Sequence, residues 1–132
     1  MAKWPVLETP LPPCWLLVDS ITEAVGRAAG AIVVSGSHGG VSAARFAVAA
    51  QVRLAVFNDA GVGRERAGIA GLALLDAEGI AACTVSHDSA RIGEAASTFE
   101  DGVISHVNAS AAALGAAAGM RLRDWLRGGQ AT

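Results

Sequence analysis

Three short polar clusters, each placed where an apolar run ends, hold most of the side chains able to move protons or bind an anion. They are Ser35-Gly36-Ser37-His38-Gly39-Gly40, Asn58-Asp59 and Ser86-His87-Asp88-Ser89, with Arg91 close behind the third. Proton transfer from a hydroxyl needs a base within hydrogen-bond reach, and an imidazole oriented by a carboxylate meets that need near neutral pH. His38 and His87 are therefore the candidate acid–base groups, Asp59 the candidate orienting carboxylate, and Ser37 the candidate hydroxyl nucleophile. The ligand-binding candidates are Ser35, Gly36, Gly39 and Gly40, whose backbone amides can turn toward one point at a helix start, together with Asn58, Ser86, Asp88 and Ser89. Arg91 adds a guanidinium fork suited to carboxylate or phosphate. Each residue also has a plain structural reading: glycines as tight turns, Asp59 as a cap, His38 as a hydrogen-bonded orienting group, and Arg91 as a solvated surface charge.

None of these stretches completes a motif that names a reaction. Gly40-Val41-Ser42 lacks the lysine and hydroxyl residue that a phosphate-binding loop carries after its last glycine. Gly61-Val62-Gly63 begins like a dinucleotide fingerprint, but Arg66 occupies the position that needs a small residue, and Asp88 is the acid nearest the expected offset. In Gly36-Ser37-His38-Gly39-Gly40 the centred residue is His38, so no nucleophile elbow is formed. His38, His87 and His106 match no compact metal spacing. The sequence implies neither a metal nor a cofactor.

The elements that must position these groups follow from the apolar pattern. Cys14 to Val18, Ala31 to Val34, Val52 to Phe57 and Ile80 to Val85 read as buried strands. Ile21 to Ala29, Val41 to Ala50 and Arg64 to Ala77 read as helices between them. Ser86 to Glu100 reads as a polar loop or irregular helix, and Asp101 as the cap of a helix whose face is Val103, Ile104, Val107, Ala111 and Leu114. A short helix over Met120 to Leu126 follows. Strands alternating with helices at this spacing predict a single small doubly wound, Rossmann-like three-layer α/β domain with a mostly parallel sheet of about four strands. All four prolines lie in residues 1–13, which form an extended arm; residues 14–128 form the domain and residues 129–132 a loose tail.

The 132-residue chain is 52% hydrophobic and 17% charged, with a formal net charge of -2, which argues against a disordered segment and against a basic nucleic-acid-binding face. No apolar span is long enough to cross a bilayer, and no signal peptide precedes the proline-rich arm, so a cytoplasmic location is expected. Cys14 and Cys83 sit in apolar runs and read as buried free thiols. Much of the apolar content is alanine, which buries little area per residue, so a homo-oligomer is expected. The sequence thus predicts an α/β protein that binds a small anionic metabolite at the carboxyl ends of its strands, with cofactor-independent hydrolase or lyase chemistry as one outcome. A non-catalytic metabolite-binding or regulatory module, or an oligomeric assembly subunit, is the alternative.

Overall fold

The computed structural model describes residues 15–131. The proline-rich arm at 1–13, Cys14 and the last residue of the expected tail lie outside the described residues. Four parallel strands, β1 (Trp15–Val18), β2 (Ile32–His38), β3 (Leu54–Asn58) and β4 (Ala81–Val85), stand side by side in chain order. A fifth, β5 (Ile104–Val107), closes the sheet antiparallel to β4. Parallel neighbours require crossovers, and crossovers of one hand that always step in the same direction fall on one face. On that face lie a 3₁₀ turn at Ile21–Ala24, α1 (Val41–Ala50) and α2 (Gly71–Ala77), packed on Val33, Ala55, Phe57 and Ala82. Helices α3 (Ala95–Asp101), α4 (Ala109–Ala113) and α5 (Leu122–Ala131) follow β4 in the chain. They cover the opposite face, where Phe99, Ala111, Trp125 and Leu126 pack with Ile32, Val34, Leu54, Val56 and Cys83.

The three-layer, mostly parallel architecture agrees with the pattern of the sequence. Because the strands run in chain order there is no reversal in the sheet, so no switch-point crevice forms. The middle strands β3 and β4 are buried along their whole length, which is why they read as unbroken apolar runs. Small residues set the spacing of the layer above them: a Cβ at Gly71 would stand 2.4 Å from the Gly40 carbonyl oxygen and 2.8 Å from Ala44 Cβ. Alanine and glycine there let α1 and α2 approach closely. Cys83 is fully enclosed, and burial pushes its thiol up to about 12, so it packs as a small hydrophobe. No helix among the described residues is long and apolar enough to cross a membrane.

Several expected elements differ: the helix expected over Ile21–Ala29 is only the 3₁₀ turn at Ile21–Ala24, β1 is an edge strand among the described residues and is buried only at Val18, and the tail expected to be loose from residue 129 continues α5 to Ala131. The strand expected to end at Val34 continues through Ser35, Gly36 and Ser37 to His38, because the Ser35 hydroxyl donates to Val56 O at 2.8 Å and Ser37 Oγ accepts from Ile21 N–H at 2.9 Å. Polar residues are thereby satisfied inside a strand. The helix expected over Arg64–Ala77 is interrupted: Glu65 and Arg66 hold φ of 56° and 60°, and α2 starts only at Gly71. The helix expected after Asp101 is instead β5 followed by α4. Asp101 is the last residue of α3, and Asn108 caps α4 by accepting from Ala111 N–H at 2.9 Å. Val103, Ile104 and Val107 fit helical spacing, but Ile104 and Val107, β-branched residues beside the open edge of β4, pair with it as a strand, and Val103 just before them forms a bridge to Arg121.

Candidate functional site

Two neighbouring grooves open at the carboxyl end of the parallel strands. The larger, of about 660 Å³, lies beyond β3 and β4 and is lined by Asn58, His87, Arg91, Glu94 and Asp101 among others. The smaller, of about 370 Å³, lies beyond β1 and β2 and takes in Ser37, His38 and Phe46. Both are of the size that holds a small molecule. Ile92 lines both, so its side chain is the wall between them.

The larger groove is shaped by the way β3 ends. Asn58 Oδ1 accepts from Ala60 N–H and Asp59 Oδ1 from Gly61 N–H, both at 2.8 Å, so two successive side chains each capture the amide two residues on. The chain is bent into left-handed backbone, with φ of 53° at Ala60, 75° at Gly61 and 69° at Val62. Strain of this kind persists only where its surroundings over-determine it, and here two side-chain acceptors do so. Ala60 is exposed, so Ala60→Gly relieves the left-handed cost without removing packing. We expect that substitution to raise stability by about 0.5–1 kcal/mol in urea unfolding, the reverse of the usual effect of glycine; a loss would mean the bend is not held in this form.

Asp59 is the buried carboxylate of the site, 4% exposed. Its Oδ1 also accepts from His87 N–H at 3.0 Å, and the Ser105 hydroxyl, which donates to Thr84 O at 3.4 Å, lies near enough to favour the charged carboxylate. The Thr84 hydroxyl stands 2.9 Å from that of Ser105, which extends the chain of donors into the sheet. Burial by itself raises the Asp59 pKa; the hydrogen bond from Gly61, the nearby Ser105 hydroxyl, the hydrogen bond from His87 and the charge of its imidazole outweigh it and hold the carboxyl below its ordinary 3.8. Asp59 is thus an anchored anion. It faces His87, whose Nδ1 lies 3.4 Å from Asp59 Oδ1 while Nε2 lies 3.3 Å from Asp88 Oδ1. The imidazole is half exposed at the groove, held on one side by a fixed carboxylate and on the other by a solvated one.

Of the residues singled out by the sequence, Asn58, His87, Asp88, Ser89 and Arg91 line the larger groove, and Asp59 stands behind His87. Gly36, Ser37 and His38 line the smaller one. His38 is opposite Asn58 in the register of β2 and β3, yet it serves the other groove, and its Nδ1 accepts from Gly40 N–H at 3.2 Å. Ser35 is fully buried in the sheet. Gly39 and Gly40 are buried at the start of α1, where Gly39 N–H donates to Asn58 O, so the expected glycine cradle is replaced by strand and close packing. The serines near His87 are engaged: Ser89 Oγ donates to Ser86 O and accepts from Val103 N–H, both at 2.9 Å, and Ser86 Oγ accepts from Ser89 N–H at 3.2 Å.

Arg91 Nε donates to Glu94 Oε1 at 3.0 Å, and its backbone N–H donates to Ser97 Oγ, whose hydroxyl donates in turn to Asp101 Oδ2. Sequence reasoning missed Glu94, Ser97, Asp101 and Ser105. The three-residue step from Arg91 to Glu94 is a usable signal; the others are brought in by α3 and β5, which the pattern did not resolve. Among the described residues no group of three or more histidine, cysteine, aspartate or glutamate side chains is placed to hold a metal ion. Comparison of the chain with protein-family models, with curated proteins and with solved structures finds no match.

Proposed function

We propose that the larger groove binds a small metabolite through an anionic group on Arg91 and that His87, oriented by Asp59, exchanges a proton with it. The observation that carries this reading is the contact of a half-exposed imidazole with an anchored, hydrogen-bonded carboxylate at the mouth of a groove of about 660 Å³. A fixed carboxylate at Nδ1 selects the tautomer, and Nε2 does the acid–base work once a ligand takes the place of the solvated Asp88 carboxylate 3.3 Å from it. The lining sets the ligand's charge. Arg91 is one guanidinium against the carboxylates of Asp88, Glu94 and Asp101, which suits a single carboxylate or phosphate monoester and disfavours a polyphosphate.

The chemistry is cofactor-independent proton transfer of the hydrolase or lyase kind, with water or the ligand itself as the reacting partner. The engagement of Ser86 and Ser89 in structural bonds speaks against a serine nucleophile beside His87. That same observation favours a second reading, a metabolite-binding module without turnover. Homo-oligomerisation in the cytoplasm belongs to the proposal; its support is that β1 is paired on one side only among the described residues, with Leu17 44% exposed.

A panel of small carboxylates and phosphate monoesters, read by calorimetry and by product formation, tests it. Arg91→Gln is expected to weaken binding about tenfold or more, and His87→Gln to keep binding while lowering turnover by about 100-fold or more. Binding retained in both variants with no turnover in the parent protein leaves the module; binding unaffected by Arg91→Gln overturns the proposal.

A further inference from the structure

The smaller groove has a composition that neither strand packing nor the proton-transfer site explains. Its floor is the end of β2 at Gly36 and Ser37, where the small Ser37 side chain is the only one the strand brings besides that of His38. One wall is α1, where Ser42 and Phe46 stand one helical turn apart on the same side. The other is Ile92. Phe46 is 40% exposed and Ile92 52% exposed, two large apolar side chains facing a common polar floor. Most polar groups here are already used: Asp19 Oδ1 accepts from Ala95 N–H, Ser37 Oγ from Ile21 N–H, and the Ser20 and Thr22 hydroxyls bond to each other. His38 differs. Because its Nδ1 accepts from Gly40 N–H, the neutral imidazole carries its proton on Nε2 and has a hydrogen-bond donor to give.

We propose that this groove holds an aromatic group bearing a hydrogen-bond acceptor oxygen, packed between Phe46 and Ile92 and bonded by His38, and that it is the tail of the same molecule whose anionic head lies on Arg91. The shared wall carries the second half of the inference: a ligand that leaves the head site past Ile92 enters the smaller groove directly. The substrate class is therefore an aryl-substituted carboxylic acid or its phosphate counterpart. An exposed phenylalanine supplies an edge or face for a flat ring. Donation by His38 selects an acceptor-bearing ring over a plain hydrocarbon. This inference rests on the head-group reading above, and the experiment separates the two.

Amide chemical shifts of the full chain are followed while acetate, acetophenone and 4-oxo-4-phenylbutanoate are added in turn. Acetophenone is expected to move the amides of Gly36 to Ser42, Ile92 and Gly93, and to lose that effect in Phe46→Ala and His38→Ala, both exposed positions. Acetate is expected to act around His87 and Arg91 in the parent and in Phe46→Ala alike. 4-Oxo-4-phenylbutanoate, which joins the two fragments and keeps the acceptor oxygen, is expected to bind about tenfold or more tighter than either fragment, since joining them makes the second contact intramolecular. Acetate binding without acetophenone binding overturns the tail groove and leaves the head site standing. Acetophenone binding without acetate binding removes the head group. Fragments that bind separately with no gain on joining overturn the single-molecule claim.

Discussion

Replacing Gly36 by alanine is expected to destabilise the protein by about 3 kcal/mol or more, the scale of strong overpacking in a closed interior. In thermal unfolding this is a fall in Tm of roughly 10 °C for a domain of this size. The reason is the seam on which both grooves rest. Gly36 O accepts from Gly93 N–H at 2.7 Å, drawing the segment before α3 onto β2. A Cβ on Gly36 would stand 2.4 Å from Glu94 N, 2.5 Å from Gly93 C and 2.8 Å from Asp19 O. All three are backbone atoms, so no rotamer change relieves the contact. Nor is Asp19 free to withdraw, since its carboxylate accepts from Ala95 N–H at 2.9 Å. Relief requires lifting the Gly93–Glu94 segment, and with it Ile92 and Arg91, so ligand binding is expected to weaken along with stability. Gly128→Ala is the matched control: it lies exposed in α5 with nothing within 4 Å of an added Cβ, and is expected to be neutral or to stabilise by up to about 1 kcal/mol. Equal stability of Gly36→Ala and the parent would show that the seam is not closed.

The same seam explains how far the sequence can be read. Strands β2, β3 and β4 were legible because β-branched and small apolar residues run without interruption where both faces are covered, and α1 was legible to the residue because Gln51, at φ 58°, ends it in left-handed backbone. What failed depends on partners distant in sequence. Ile104 and Val107 satisfy a helical stripe as well as a strand, and only the unpaired edge of β4 decides between them. Ser35 and Ser37 read as loop residues, but their hydroxyls find Val56 O and Ile21 N–H, which no local pattern announces. The site divides in the same way. That Asp59 and His87 meet follows from β3 and β4 being consecutive parallel neighbours with polar residues just past their ends. That His38 serves a separate groove follows from β2 running on four residues past Val34 and from Ile92, a residue of α3's leading segment, standing between.

Asp59 is the residue at which stability and the proposed chemistry are joined, and substitutions there are expected to show both. Asp59→Ala removes a buried carboxylate and leaves the N–H groups of Gly61 and His87 without their acceptor in a part-buried setting, which is expected to cost about 2 kcal/mol or more. Asp59→Asn keeps one acceptor oxygen but sets an NH₂ group where the carboxylate accepted, and is expected to cost about 1–2 kcal/mol. The dependence on pH identifies the charge as the cause. The folded carboxyl ionises below its ordinary 3.8, so between those two values the unfolded chain binds more protons than the folded one. The stabilisation from Asp59 is therefore complete above the unfolded value and is lost as pH falls through the folded one. Measured by urea unfolding, the gap between the parent and Asp59→Asn is expected to be constant from about pH 7 to about pH 5 and to shrink below 3.8. A gap that stayed constant into strong acid would assign the effect to shape alone. Because the Asp59 contact is what orients the His87 imidazole, Asp59→Asn is also expected to lower turnover at pH 7, where the variant is still folded. His87→Gln removes the imidazole and leaves the backbone N–H bond to Asp59 in place, so it is expected to lose turnover with little change in the acid limb of stability. Loss of both properties in one variant and of only one in the other is the pattern that separates an orienting carboxylate from a merely structural one.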